Sequence, residues 1–437
     1  MTTTRHIKSN VLPPWLWFWL VVFFVLLLPY YLAVWIRNIQ ELFQTPAAGI
    51  DPVTGAAYRI LGLVGLLELV PSLALFLGII ALLRPAIRTN RLEKEYKLKP
   101  AGPTTTVMVE ILEFIHHHAP GIEVRANRLR FDQPPFVYPL GFGTTAIAIF
   151  GQLVKLWQSD RPAAEAILLH ELAHYRHGDA LIIGAGSPFR GVIEQWGKLY
   201  SRLFLVPFIL SFVAIAILFF GEIIYLMSMG VGGIGLLVSA IVHKLVQTAG
   251  MLFWALFISF GLLIFTTSVF IVPMVAIWCS ELNADQAPAS RSVEDALSAL
   301  HRLPEQAQGR KWLLFRLAHP PAKLRQWMAT NSAHLLGKVT LLLLFPLSFV
   351  LQAWLLRLLR ALGRINGIEI VSIDRVASPQ TISGLWLVAA VLLIVWPFLA
   401  SAWERVFCSG QRSPSLNPLA YWVSAGVLGG LGLWGIY

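Results

Sequence analysis

Two histidines four residues apart, with a glutamate directly after the first, occur in the run His170-Glu171-Leu172-Ala173-His174. On a helix, residues four apart share a face. His170 and His174 can therefore both reach one tetrahedral Zn²⁺, and Glu171 is placed to polarise a water at the metal. The same short pattern also arises by chance on amphipathic helices, so its surroundings have to decide.

Those surroundings favour a site. Arg161-Pro162 introduces Ala163, Ala164, Ala166, Ile167, Leu168 and Leu169, good helix formers behind a proline suited to a first turn, so a helix starting near Pro162 should carry the motif. Gly178 supplies a stop. Asp179 beyond it is a carboxylate suited to hold an imidazole from behind. A zinc site needs a third protein ligand, and Glu281-Leu282-Asn283-Ala284-Asp285 offers two carboxylates on one helix face, a ligand in Glu281 and its support in Asp285.

This set of motifs resembles the HtpX and CAAX prenyl endopeptidase family of membrane gluzincins. The similarity lies in His-Glu-x-x-His, in Asp179 five residues past the second His, and in a downstream Glu-x-x-x-Asp. His319-Pro320-Pro321 followed by Arg325 adds a further match. It covers roughly residues 100–185 and 278–330. The resemblance implies that His170, His174 and Glu281 are metal ligands and Glu171 is the general base. It makes Asp179 and Asp285 supporting carboxylates, and His319 a catalytic hydrogen-bond donor to the transition state. The chain departs from the family in reading Phe136-Val137-Tyr138 where relatives often carry Asn-Ala-Phe, and Gln286 where an Arg is usual.

Composition sets the frame. Of the 437 residues 57% are hydrophobic and only 13% charged, and 16 are Trp, which describes a polytopic membrane protein because soluble folds average about 25% charged residues. Apolar runs of spanning length fall at 14–36, 60–83, 203–228, 250–278, 336–356 and 384–403, with a shorter one at 419–437. The first run is long and lacks a small-residue cleavage site, so it reads as an anchor. Lys and Arg crowd residues 84–99, whereas the 37–57 connection holds only Arg37. By the positive-inside rule the N-terminus and both motif-bearing regions face the cytoplasm. Arg357, Arg360 and Arg364 run against that rule and suggest an interfacial helix. The net charge of +11 reads as topology and contact with anionic lipid; nucleic acid is not an expected partner, because no basic cluster accompanies a nucleic-acid fold signature. Cys279 and Cys408 are too few for a disulfide framework.

Between the second and third spans, residues 106–118 should be helical, and alternation over 123–131 suggests strands before a Pro134-Pro135 turn. The run 144–150 is a strong strand, either an edge able to pair with a peptide or a strand packed under the motif helix. His116-His117-His118 reads as a solvated helix end, since consecutive helical residues point apart. Glu68, beside Pro71, is an intramembrane carboxylate. The glycine-rich stretch 229–249 suggests a re-entrant or external hairpin.

The expected fold is mainly α: a polytopic helical membrane protein of six to seven spans with a cytoplasmic zincin-like α+β metallopeptidase domain. Its divisions would be 1–90 (two spans), 91–202 (first catalytic part), 203–278 (two spans around the glycine hairpin), 279–335 (second catalytic part) and 336–437 (C-terminal spans). The expected function is zinc-dependent endoproteolysis of membrane-associated or misfolded proteins, at a bacterial inner membrane with the catalytic domain in the cytoplasm. The competing reading is a non-catalytic membrane scaffold or zinc-dependent signal transducer. An intact Glu171 argues against it, since a binding-only site does not need that base.

Overall fold

An unbroken apolar strand and a short proline-flanked one determine the shape of the sheet. The computed structural model describes residues 85–141, 144–177, 180–187, 206–228, 233–302, 319–331, 334–365 and 382–391, with a few isolated positions besides. These residues are mostly helical around one four-stranded sheet. In chain order the sheet region comprises α1 (Pro85–Tyr96), β1 (Lys99–Pro100), α2 (Thr106–His118), β2 (Glu123–Asn127), β3 (Phe136–Pro139), β4 (Thr145–Phe150), α3 (Gly151–Ser159), α4 (Arg161–His177) and α5 (Ala180–Ile183). The strand order is β1-β2-β4-β3, with β4 parallel to β2 and antiparallel to β3.

Each face of β4 meets a different layer, as the two-residue period of a strand requires. Ile147 and Ile149 pack with Met108, Ile111 and Ile115 of α2 and Leu168 and Leu172 of α4. Ala146, Ala148 and Phe150 pack with Leu92 of α1 and Tyr138 of β3. Covered on both faces and paired on both sides, β4 is an interior strand packed under the motif helix, the second of its two expected readings. The edge beside α4 belongs to β3. Pro135 and Pro139 at its ends lack the N–H groups that an interior strand would use, and this keeps β3 at the margin.

Helix α2 follows the expected 106–118 and starts on a capped turn, the Thr105 hydroxyl accepting from the Met108 N–H at 3.3 Å. Helix α4 starts at Arg161 with the Asp160 carboxylate accepting from the Ala163 N–H, a cap that the adjacent proline obscured in the sequence.

The rest is helical: α6 (Val206–Ser228), α7 (Ile234–Ala289), α8 (Val293–Arg302), α9 (Ala322–Asn331), α10 (Leu335–Ile365) and a short apolar helix, α11 (Ile382–Val391). Helix α7 is 56 residues long, about 84 Å at 1.5 Å per residue. It contradicts the hairpin expected at 229–249 and runs straight through the division expected at 278–279. The left-handed glycines Gly230 and Gly233 confine the turn to a few residues, and the Leu-Leu-Val-Ser-Ala-Ile-Val run after them is free to be helical. Arg357, Arg360 and Arg364 continue α10 and do not form a separate interfacial helix.

One stretch, Leu343–Ala361 of α10, is long and apolar enough to cross a membrane. Helix α6 and the first half of α7 expose large apolar side chains, among them Ile217, Phe220, Ile224, Val246 and Phe260. The expected spans 14–36, 60–83 and 419–437, and Glu68, lie outside the described residues apart from isolated Ile36, and 384–403 is described mainly within α11.

Candidate metal centre

Helix α4 is gripped from two sides, and this fixes its roll. Leu168, Leu172 and Tyr175 face the sheet core, whereas Leu169 and Ala173 pack on Ala284 and Ala287 of α7. Alanines at that seam let the two helices approach closely, as small residues at a helix contact do. Glu281, one turn before Ala284, is thereby carried over the histidine face of α4. One atom each from His170, His174 and Glu281 lies within 4.8 Å of the others, the sole such group among the described residues. His170 Nε2 stands 3.7 Å from Glu281 Oε2. Tetrahedral zinc with bonds of about 2.0–2.1 Å needs its donors roughly 3.3 Å apart, so modest contraction would seat an ion.

The donor set fits such an ion in tautomer as well as in spacing. Glu281 is only 3% exposed, and His174 is buried too. His170 turns Nδ1 to within 2.9 Å of Asp285 Oδ1, a close approach whose angle falls short of a regular hydrogen bond. With the proton on Nδ1 facing that carboxylate, the Nε2 lone pair is left toward Glu281, the arrangement metal-binding imidazoles use.

Asp285 is itself held. Arg325 donates to both of its oxygens, from Nε to Oδ2 at 2.7 Å and from Nη2 to Oδ1 at 2.6 Å. Burial alone would raise the Asp285 carboxyl, but the charge and two hydrogen bonds of Arg325, with His170 beside it, hold it below the ordinary carboxylate range. Burial pulls the other way on Arg325, whose guanidinium Asp285 nonetheless holds firmly protonated. Pro320 and Pro321 deliver the chain into α9, whose first turn begins with Leu324 and Arg325 N–H groups bonded to the Pro321 carbonyl. The rigid dipeptide thus sets Arg325 against Asp285. It also leaves His319 at the mouth, with Nδ1 3.8 Å from Glu281 Oε2 and its side chain 41% exposed.

Glu171 reaches the sheet. Its Oε2 accepts the main-chain N–H of Val137 on β3 at 3.1 Å. The general-base candidate is therefore anchored to the edge strand that borders the site.

Six of the seven residues singled out from the sequence come together: His170, Glu171, His174, Glu281, Asp285 and His319. Asp179, with Gly178, lies outside the described residues. Two contributions escaped the sequence reading. The grip of Arg325 on Asp285 spans 40 residues, and its only trace was the arginine's fixed distance from His319. The Val137 contact is made by the main chain and leaves no side-chain signature. Cys279 is buried and its thiol is pushed well up by that burial, the opposite of what a ligating thiolate needs. The triple histidine ends α2 as expected. His118 Nδ1 lies 2.9 Å from the Phe114 carbonyl and its ring stacks on Phe114, while burial and nearby Arg176 lower its pKa against the raising effect of that carbonyl.

The chain matches no protein-family model, no curated protein and no solved structure. The likeness to the HtpX and CAAX prenyl endopeptidase family therefore rests on the motif residues.

Proposed function

We propose that the protein is an integral-membrane zinc endopeptidase. The observation that carries this reading is the convergence of His170, His174 and Glu281 on one point, with Glu171 next to His170 on the same helix and Asp285 behind His170. The same two-histidine, one-carboxylate set also serves non-haem iron(II), but a carboxylate directly after the first histidine has a use in hydrolysis and none in ligation.

When bound, zinc supplies Lewis acidity toward water and toward a peptide carbonyl. The chain's own residues do the rest. Glu171 accepts the proton of the attacking water and returns it to the departing amine. His319, exposed at the mouth, donates to the oxygen that gains charge. Asp285 and Arg325 keep His170 in one tautomer and one orientation. The exposed apolar faces of α6 and of the first half of α7, together with α10, support a multi-pass protein in a bilayer, at a bacterial inner membrane with the site on the cytoplasmic side. Substrates would be membrane-associated or misfolded proteins.

The test is metal analysis of purified protein together with cleavage of unfolded casein. One zinc per chain with cleavage supports the peptidase. One zinc with no cleavage of any unfolded protein favours the scaffold or transducer.

A further inference from the structure

The outer edge of β3 is already occupied. Val137 is paired with Ile147 in register, yet its own N–H and C=O both point away from β4. The N–H donates to Glu171, and the C=O accepts from the Ala185 N–H at 2.9 Å. Pro139 has no N–H, and its carbonyl accepts from the Thr89 hydroxyl at 2.6 Å. Val137 is thus the one residue of this strand with both main-chain groups turned outward to form a rung, and two parts of the same chain hold it.

The segment 184–187 that covers the rung is fastened from α1. Arg88, buried, donates from Nε to the Ala185 carbonyl at 2.6 Å and from Nη2 to the Gly184 carbonyl. Leu92 fills the space beside Gly186, which sits at a φ of +70° that other residues rarely adopt. Gly184 lies so close to the strand that a Cβ there would come within 2.8 Å of the Val137 carbonyl. The segment therefore sits where an added strand would pair.

Resting on the peptidase reading above, in which the edge strand beside the motif helix pairs with an extended peptide, here at Val137, we infer that 184–187 is a latch competing for that rung. A docking peptide would donate its N–H to the Val137 carbonyl, displacing Ala185, and accept the Val137 N–H, releasing Glu171. One pairing event thereby opens the edge and frees the base. Folded proteins, which have no unpaired segment to offer, would leave the latch shut. Arg88 is a positioning residue in this scheme: it acts through 184–187 and touches neither the metal group nor the substrate.

The test compares the full-length, zinc-loaded protein with Arg88→Met and with Ala185→Pro, the latter removing the N–H that the Val137 carbonyl accepts. Unfolded casein is the substrate; zinc content and melting temperature are measured on every preparation, and amide exchange at Ala185 on the wild type and Arg88→Met. The expected result is faster exchange at Ala185 in Arg88→Met. In both variants the KM for casein should be lower by roughly two- to tenfold, the value of one competing hydrogen bond, with kcat and zinc little changed. An unchanged or higher KM in a folded, zinc-loaded variant would overturn the latch, and so would unaltered exchange at Ala185 in Arg88→Met. If Arg88→Met fails to fold, Ala185→Pro decides alone. If the wild type cleaves nothing, the peptidase reading fails by itself and exchange still judges the latch. Saturating casein should then speed exchange at Ala185, and no change would dispose of it.

Discussion

The two halves of α7 obey opposite rules. From 234 to 260 it presents Ile234, Val246 and Phe260 outward, apolar and exposed. From 264 to 289 it buries Ser280, Glu281, Asn283 and Asp285 among small residues. A polar group is buried at a cost of several kcal/mol unless it is partnered, so the second half is viable only because α4, α9 and their side chains answer it. The first half leaves its apolar side chains exposed. One helix thus joins an exposed apolar face to the candidate metal group, and the two halves should respond differently to substitution.

The largest contrast should come from Glu281→Ala, which removes a ligand from the buried half and should strip most of the zinc, measured by metal analysis. Full zinc retention would break the ligand assignment. Next, Arg325→Met leaves the buried Asp285 with only His170 beside it, and should lower stability by roughly 3–5 kcal/mol, read by chemical or thermal unfolding. His319→Ala should spare zinc and melting temperature but lower kcat by roughly 10²- to 10³-fold, the range for one lost donor to a developing oxyanion. A variant that loses zinc instead would assign His319 to structure. In the exposed half, Phe260→Arg should leave the metal group's affinity intact while opposing membrane insertion by roughly 2.5–3.5 kcal/mol, read in an insertion assay. Equal insertion of the variant would detach the first half from the bilayer. The smallest effect is set by the seam: Ala284→Leu overpacks the α4–α7 contact, costing roughly 1–3 kcal/mol and weakening zinc binding by spreading Glu281 from His174.

What could be read beforehand followed local periodicity. His170, His174, Glu281 and Asp285 were legible because four-residue spacing fixes a helix face wherever the helix lies. The helix over 106–118 was legible from its apolar stripe. Whether β4 was an edge or an interior strand was not, since an apolar run looks the same at either place and only the chain's path sets the order. The glycines at 230, 232, 233 and 235 suggest a hairpin over 229–249, whereas the helix that begins at Ile234 takes in Gly235 and runs on through 249. The Asp285–Arg325 pair and the Val137 rung depend on elements meeting across the fold, one through distant side chains and the other through the backbone, and neither has a spacing to be read.

In the proposed peptidase the buried half of α7 completes a hydrolytic centre served by Glu171. The most direct measurement is zinc content and casein cleavage for wild type and Glu171→Gln in parallel. Equal zinc is expected in both proteins, with a loss of cleavage of roughly 10²- to 10⁴-fold in the variant, the contribution of a positioned general base. Cleavage near the wild-type rate by a zinc-loaded Glu171→Gln protein would contradict it.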